Sequence, residues 1–159
     1  MARVYIETSF FSACVSKRLD PKSSGWRLTS REWWKTQASR HELFIAAEVV
    51  RELQNPGFSE REAALRMIRS LNLLEHTPEA IDLAEVLVAE KVMPAPAIAG
   101  DALHVATAAV HRMDYILSWN VRHLANPNKR MHLAVICMRL NLSAPQLVTP
   151  DLLWEVSDG

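Results

Sequence analysis

The chain has 159 residues, 49% of them hydrophobic and 23% charged, and its 18 basic and 18 acidic residues give no formal net charge. This length suits one domain and leaves little room for two, and the composition excludes disorder over any long stretch. Zero net charge argues against a protein that coats nucleic acid nonspecifically, because neutralisation of phosphates drives such binding.

The cysteine content and the hydropathy indicate the compartment. Cys14 and Cys137 are far apart in sequence and form no disulfide framework, and two free thiols fit a reducing cytoplasm. The first residues lack the long apolar run of a signal peptide. No uncharged stretch reaches the roughly 18 apolar residues of a membrane span. We therefore expect a cytoplasmic protein that has no membrane contact.

Short runs of β-forming residues alternate with helical stretches along the chain. This alternation predicts an α/β fold with a central parallel sheet of four to five strands and helices on both faces. The predicted strands are residues 3–7, 42–46, 72–77 and 115–118, with a final edge strand at 146–149. The sequence has no internal repeat and no linker, so residues 1–159 are expected to form a single domain.

Helices are predicted at residues 10–15, 26–38, 47–54, 59–70, 79–91, 101–113 and 132–140, with a last short helix near 152–156. Thr8 and Ser9 supply N-cap chemistry for the first helix, and Ser59 with Glu62 forms a capping box for the fourth. Pro78 suits the start of the fifth helix. The segments 20–25 (DPKSSG) and 125–128 (ANPN) are predicted to be a loop and a turn.

Polar residues cluster where such a sheet binds ligands, outside the carboxyl ends of its strands. Glu7 ends the first strand, Ser118 and Asn120 follow the fourth, Asp101 starts the helix before it, and Glu52 lies on the helix after the second strand. Three carboxylates in one pocket repel each other, and a bound cation relieves the repulsion. All-oxygen ligands favour Mg²⁺ or Mn²⁺, which can activate water for phosphodiester hydrolysis.

Four segments resemble, in order and spacing, the acidic-motif regions of PIN domains. They are residues 5–9 (YIETS), 50–53 (VREL), 101–108 (DALHVATA) and 114–120 (DYILSWN). The most similar group is the VapC-type toxins of bacterial type II toxin–antitoxin pairs, and the resemblance covers nearly the whole chain. It implies a PIN-like three-layer sandwich and a Mg²⁺- or Mn²⁺-dependent endoribonuclease. It also implies an RNA substrate, an antitoxin protein as partner, and a homodimer.

Carried over by position, the resemblance places the metal ligands at Glu7, Glu52 and Asp101 and adds Asn120 to the catalytic set. Ser9, Ser118 and Asn120 become pocket residues that orient water. Glu7 and Asn120 both stand where the family usually has Asp. An amide oxygen can still ligate Mg²⁺ or hold a metal-bound water, but one full charge is lost. The alternative function is therefore a catalytically weakened PIN-like module that binds RNA or a protein partner without cleavage.

Several neighbouring residues allow two interpretations. Glu48 is four residues before Glu52 and can share its side of the helix, but we interpret it as a helix-start acid. His104 is interpreted as a packed or pocket-edge residue. It lies about 10.5 Å along the helix axis from His111, too far for both to bind one zinc ion. Arg122 and His123 either contact RNA phosphates or lie in a solvated loop.

The aromatic residues of the second helix also leave the function open. Trp26, Trp33 and Trp34 lie among basic residues and could stack on RNA bases, although core packing or a homodimer face is the favoured interpretation. Apolar side chains on the first two helices could receive an amphipathic antitoxin helix. A third class, an unrelated α/β enzyme with an acidic pocket, would be favoured if the four catalytic candidates were scattered in the fold.

Overall fold

The computed structural model describes residues 1–156 and has a five-stranded, entirely parallel sheet at its centre. Its strand order is β3-β2-β1-β4-β5, and Val4 of β1 is aligned with Leu43 of β2 and Tyr115 of β4. The strands are β1 (Arg3–Ile6), β2 (Glu42–Ala46), β3 (Asn72–Leu74), β4 (Tyr115–Leu117) and β5 (Gln146–Val148). All five predicted strands are confirmed, some of them with a slightly earlier end.

Seven α-helices connect the strands: α1 (Thr8–Val15), α2 (Pro21–Thr36), α3 (Ala47–Leu53), α4 (Arg61–Ile68), α5 (Pro78–Ala89), α6 (Asp101–Val110) and α7 (Pro127–Arg139). Helix α1 packs on α2, α3 and α4, whereas α5 packs on α6. From β1 to β3 the chain moves along the sheet in one direction, and from β3 to β5 it moves in the opposite direction. Crossover connections between parallel strands are almost always right-handed, so the two directions place their helices on opposite faces. Helices α1–α4 therefore cover one face and α5–α7 the other, which confirms the three-layer α/β sandwich.

The core explains why the central strands lack alternation of polar and apolar residues. Val4, Tyr5 and Ile6 of β1 are completely buried, as expected for a strand covered on both faces. In α6, every residue from Ala102 to Ala109 is buried. The small side chains of this helix let it lie close to the sheet, and this close packing brings its first turn near the strand ends.

Two helices begin earlier than the sequence predicts. Residues 20–25 form the first turns of α2: the Asp20 carboxylate accepts a backbone N–H of that turn and Pro21 is the first helical residue. Asn126 and Pro127 start α7 in the same way. The loop and turn predictions for these segments are wrong. Pro has no N–H to leave unpaired in a first helical turn, so Asp-Pro and Asn-Pro favour a helix start here.

The start of α1 differs in a way that matters for the site. Its N-cap is Glu7 rather than Thr8 or Ser9, and the Glu7 side chain accepts the backbone N–H of Ser9 at 2.9 Å. The last residue of the predicted first strand is therefore also the helix cap. A single residue joins β1 to α1, and this fixes the position of its carboxylate.

Other helix ends also differ from the predictions. The predicted capping box is not formed: the N-cap of α4 is Glu60, which makes no side-chain cap hydrogen bond, and the Ser59 hydroxyl instead lies 3.4 Å from Glu60. Helix α6 ends at Val110, and the last helical turn is a 3₁₀ segment at Pro150–Leu152. Pro150 sets the start of that turn, because its fixed φ suits a first helical position.

Both cysteines are free thiols, as predicted, and the structure shows that both are buried. Burial raises the pKa of the Cys14 thiol to about 12, so this thiol stays protonated and unreactive at neutral pH. Within residues 1–156, none of the helices combines the length and the apolar character required to cross a bilayer.

Candidate active site

The candidate site lies where the sheet order changes direction. Strand β1 is flanked by β2 on one side and by β4 on the other, and crevices at such switch points bind ligands at the carboxyl ends of the strands. Glu7 directly follows β1 and Ser118 directly follows β4. The two residues are therefore brought to the same edge of the sheet.

Glu7 is 7% exposed and is held by neutral donors. Its Oε2 atom accepts the backbone N–H of Ser9 at 2.9 Å and the Ser118 hydroxyl at 2.8 Å, and it also contacts the Ser9 hydroxyl. Three donors compensate a buried carboxylate for the loss of water. Among residues 1–156, every hydrogen bond to the Glu7 side chain uses Oε2, which leaves Oε1 available to a cation.

Glu52 is brought to Glu7 by α3 and is held by two other side chains. Its Oε1 atom accepts the Thr8 hydroxyl at 2.7 Å and contacts Nε2 of His104. The Nδ1 atom of His104 lies 2.6 Å from the Tyr5 hydroxyl. His104 is 1% exposed, so it links α3, α6 and β1 from inside the core.

The pKa shifts of Glu52 and His104 favour an ion pair between them. Burial alone would disfavour the imidazolium, but the hydrogen bond to Glu52 and the charges of Glu7, Glu52 and Glu48 outweigh it and raise the pKa of His104. Burial likewise opposes the charged form of Glu52, yet His104 and Thr8 lower the pKa of Glu52 below its usual value. Both shifts favour the same state, in which a carboxylate faces an imidazolium.

Asp101 is placed by the start of α6. The N-cap of that helix is Gly100 with φ of +74°, a conformation that favours glycine. The Asp101 carboxylate lies 3.2 Å from Nε2 of His123, and the Asn120 side-chain amide approaches its two oxygens at 3.4 and 3.5 Å. The Asn120 backbone N–H donates to the Ser118 hydroxyl at 2.9 Å, so these residues connect back to Glu7.

The two groups of side chains meet in a cleft of about 20 Å³, which has room for about one water-sized particle. The polar residues that line it are Glu7, Asp101, His104, Ser118, Asn120 and His123. Glu7, Glu52 and His104 also offer ligand atoms within 4.8 Å of one another. Asp101 is outside that triplet but shares the cleft with Glu7. The predicted catalytic residues are thus gathered, not scattered.

The donor set fits a divalent cation. Two carboxylates with an unpaired oxygen each are hard ligands of the kind that Mg²⁺ and Mn²⁺ take. The nearby imidazole of His104 orients Glu52 instead of ligating the ion, because both ring nitrogens of a protonated imidazole carry hydrogen. Sequence reasoning gave too little weight to the contact of His104 with the acidic residues of the site. The three-residue spacing between Asp101 and His104 places both residues on one side of α6, and this spacing could have indicated that His104 belongs to the site.

Glu48 lies beside the site but has other partners. It is 4% exposed, forms a close ion pair with Arg51, and donates its backbone N–H to Nε2 of His76 at 3.0 Å. Because Nε2 of His76 accepts, Nδ1 carries the proton and donates to the Thr107 hydroxyl at 2.7 Å. Glu52, rather than Glu48, is the α3 acid next to Glu7.

The remaining sequence candidates are placed differently from one another. Trp33 is completely buried and donates its indole N–H to the Leu153 carbonyl, so the interpretation as a core residue is correct for Trp33. Trp26 is half-buried and stacks on Trp119, outside the core. Arg122 is exposed in the 3₁₀ turn Arg122–Leu124, next to His123.

No protein-family model and no curated protein sequence matches the chain. Solved structures do match. DNA-bound VapBC from Salmonella typhimurium has a TM-score of 0.58 and 14% identity, covering 94% of this chain and 99% of that one. VapBC2 from Rickettsia felis, bound to a promoter DNA fragment, has a TM-score of 0.57 and 13% identity, covering 92% and 97%. VapC20 from Mycobacterium tuberculosis, a Sarcin–Ricin loop cleaving toxin, has a TM-score of 0.56 and 17% identity, covering 77% of this chain and 93% of that one.

These likenesses define the class of fold as the PIN-type α/β sandwich, with its acidic crevice at the carboxyl ends of the strands. Within that class, the chain has the fold of the VapC-type toxins. The resemblance drawn from four short motifs is therefore confirmed at the level of fold.

Proposed function

We propose that the protein is a metal-dependent endoribonuclease and the toxin of a toxin–antitoxin pair. The observation that carries this proposal is the meeting of Glu7 and Glu52 beside His104 at the end of β1, on the fold of the VapC toxins. Asp101 and Asn120 line the adjoining cleft. The clustering of acids around a space of one particle supports cation chemistry over a purely structural role.

Mg²⁺ or Mn²⁺ would be held by Glu7, Glu52 and Asp101, directly or through water, with His104 holding the Glu52 carboxylate in place. When bound, such an ion lowers the pKa of a coordinated water and stabilises charge on the phosphate under attack. Ser9 and Ser118 keep the Glu7 carboxylate in one orientation. Since Asn120 directs its amide N–H toward Asp101, its amide oxygen is left to position water.

The cationic side of the cleft would receive the substrate. His123 lies beside Asp101 and is one-third exposed, and Arg122 is its exposed neighbour. Both can approach phosphate oxygens, which bind Arg and protonated His through charge-assisted hydrogen bonds. We assign these two residues to contacts with the RNA backbone.

The remaining parts of the proposal concern organisation. We infer that residues 1–159 form one PIN-like domain, that the protein acts in the cytoplasm, and that it forms a homodimer. The similar structures from Salmonella typhimurium and Rickettsia felis are VapBC complexes. They support an antitoxin protein as the partner of this chain.

A second function, RNA or protein binding without cleavage, is favoured by two observations. Asn120 lacks the charge of a carboxylate, and the raised pKa of His104 favours a positive charge beside Glu52. Both reduce the negative charge that would attract a cation. Calorimetric titration with Mn²⁺ separates the two functions: a nuclease binds Mn²⁺ in a way that Asp101→Ala weakens, whereas a pure binding module does not.

Cleavage of a mixed set of structured and single-stranded RNAs tests the proposal. We expect Mn²⁺-dependent cleavage that EDTA and Asp101→Ala abolish. Asp151→Ala is the matched control, since it removes an exposed acid from the 3₁₀ turn Pro150–Leu152, outside the cleft. Cleavage by Asp101→Ala at the rate of the parent chain would contradict the assignment.

A further inference from the structure

A groove of about 740 Å³ adjoins the acidic residues, and its size is that of pockets that hold small organic ligands. It begins at Glu7 and Glu52, follows α1, and ends near Trp26. The hydroxyl groups of Ser12, Ser16 and Ser23 line it. These hydroxyl groups offer uncharged hydrogen bonds to sugar and phosphate oxygens. The chain in residues 1–156 thus has a continuous surface that leads from the cleft to an aromatic side chain.

That aromatic side chain is fixed to the site by a second one. The rings of Trp26 and Trp119 are stacked, with centroids 4.8 Å apart and planes 11° from parallel. Trp119 is held at both ends, because its backbone N–H donates to the Ser9 hydroxyl at 2.9 Å and its indole N–H to the Ser30 hydroxyl at 2.7 Å. Trp119 also lies between Ser118 and Asn120 in the chain. The Trp26 ring therefore has a set position relative to the cleft.

An exposed lysine lies against the Trp26 ring. The Lys22 ammonium lies 4.6 Å from the ring centroid, and since Trp119 occupies one face, Lys22 occupies the opposite one. Lys22 is exposed, and a cation–π contact at an exposed site is weak. A base that stacks on the indole can replace it, and the freed ammonium can then bind the adjacent phosphate.

Further cations border the groove in weak, exposed pairs. Lys17 lies 3.4 Å from Glu60 and Arg18 lies 3.4 Å from Asp20, with four-fifths of each basic side chain exposed. Exposed pairs of this kind contribute little, so either cation can turn to a phosphate. Arg27 differs, because it donates to backbone carbonyls after α1 and is fixed there.

We propose that this groove binds a single-stranded RNA segment and that Trp26 is a positioning residue on which a base next to the scissile phosphate stacks. Trp119 holds the ring in place, and Lys22 with Lys17 binds the phosphates of the same segment. The inference rests on the proposed function and adds the path of the substrate. The lining is mixed, since Ala13, Phe58 and the acid Glu60 also contribute to it. RNA is the favoured occupant because an aromatic ring and nearby basic side chains together match a base and its phosphate.

The test is fluorescence anisotropy of a labelled single-stranded RNA of mixed sequence with the full chain, with Ca²⁺ in place of Mn²⁺. We expect Trp26→Ala to weaken binding about 10-fold, the effect of one stacked base, and Trp26→Phe to recover most of it. Trp154→Ala, which removes a tryptophan outside the groove, is the matched control and should bind like the parent. Lys22→Gln should lower the salt dependence by the contribution of about one phosphate.

A second arm varies the RNA and compares the parent with Trp26→Ala, because a misfolded variant would lose binding to every RNA and not at one position. RNAs that lack one base at successive positions should include one position whose loss weakens binding to the parent but not to Trp26→Ala. A parent that cleaves and binds RNA while Trp26→Ala binds equally well would overturn the inference and leave the proposed function standing; the groove would then be open to a protein segment. A parent that neither cleaves nor binds any RNA would overturn both.

Discussion

His104 contacts Glu52 through Nε2 and lies 2.6 Å from the Tyr5 hydroxyl through Nδ1, so one buried imidazole joins three elements around the acidic cleft. The contact decides two properties of the site at once. It holds the Glu52 carboxylate beside Glu7, and it balances one negative charge before any cation is bound. A site assembled in this way depends on a residue that belongs to the core as much as to the cleft.

His104→Ala tests the structural part of that role. The change leaves the Tyr5 hydroxyl without its His104 partner and the Glu52 carboxylate with Thr8 alone, and we expect it to lower the free energy of unfolding by about 2–3 kcal/mol. Urea denaturation measures the effect. His132→Ala is the control, because His132 pairs with Glu90 on the surface and should cost less than about 1 kcal/mol. Equal losses of stability in the two variants would show that the buried His104 contacts stabilise the fold no more than a surface pair does.

His76 predicts a pH dependence of stability. Burial, and then the charge of His104, lowers the pKa of His76 in the folded state. The unfolded chain therefore binds the proton first, and the stability contributed above the unfolded pKa of about 6.5 is lost as the pH falls toward the folded pKa. His76→Gln keeps a donor and an acceptor but does not titrate. Its free energy of unfolding should fall less than that of the parent between about pH 8 and pH 5.

A second variant, His76→Asn, also removes the titrating group and should give the same pH profile as His76→Gln. His104 opposes the trend, because its raised pKa gives stability that is present at low pH and lost as the pH rises. Comparing each variant with the parent at every pH cancels that shared contribution. A profile for His76→Gln as steep as the parent's would contradict the assignment.

Two helix starts provide a matched pair of cap variants. The Thr77 hydroxyl accepts the backbone N–H of Ala80 at 3.2 Å at the start of α5, so Thr77→Ala should cost about 1 kcal/mol. Ser59 has the capping-box sequence without the cap, and Ser59→Ala should change the free energy of unfolding by less than about 0.5 kcal/mol. Chemical denaturation of both variants measures the difference, and a loss at Ser59 equal to that at Thr77 would reverse the assignment.

The sheet could be predicted from the sequence because its signal is local and strong. Buried parallel strands such as β1 and β4 consist of consecutive apolar residues bounded by polar ones, and this pattern gives their bounds to within one residue. Helix starts were harder to predict, since Asp20 and Asn126 precede prolines in segments that also have loop composition. The choice between a loop and a cap depends on whether the following residues find a surface to pack on, which a local pattern does not contain.

The site was only partly accessible to sequence reasoning. Acids at the ends of predicted elements identify Glu7 and Asp101, because the topology alone carries them to one edge of the sheet. The partners of His104 lie on β1 and α3, far from it in sequence, so no spacing rule could link them. The stacking of Trp26 on Trp119 likewise joins residues 93 positions apart by number and exists only once α2 has packed.

Asn120→Asp tests whether the missing charge limits the site. In the structure the Asn120 amide N–H faces the Asp101 carboxylate, so a carboxylate at this position would repel Asp101 in the absence of a cation. We expect the metal-free variant to unfold at a lower temperature than the parent. We also expect it to bind Mn²⁺ roughly 10-fold more tightly, since an added carboxylate ligand raises the affinity of an oxygen site. Calorimetric titration and thermal unfolding with and without Mn²⁺ measure both effects.

Asn128→Asp adds the same charge in the first turn of α7, outside the cleft, and should leave Mn²⁺ binding unchanged. Tighter Mn²⁺ binding by Asn120→Asp alone would therefore place the cation next to Asp101. RNA cleavage by that variant but not by the parent would show that the asparagine at position 120 is what prevents catalysis. Cleavage by both would mean that Glu7, Glu52 and Asp101 suffice. Unchanged Mn²⁺ affinity in Asn120→Asp would move the cation away from Asp101 and toward Glu7, Glu52 and His104.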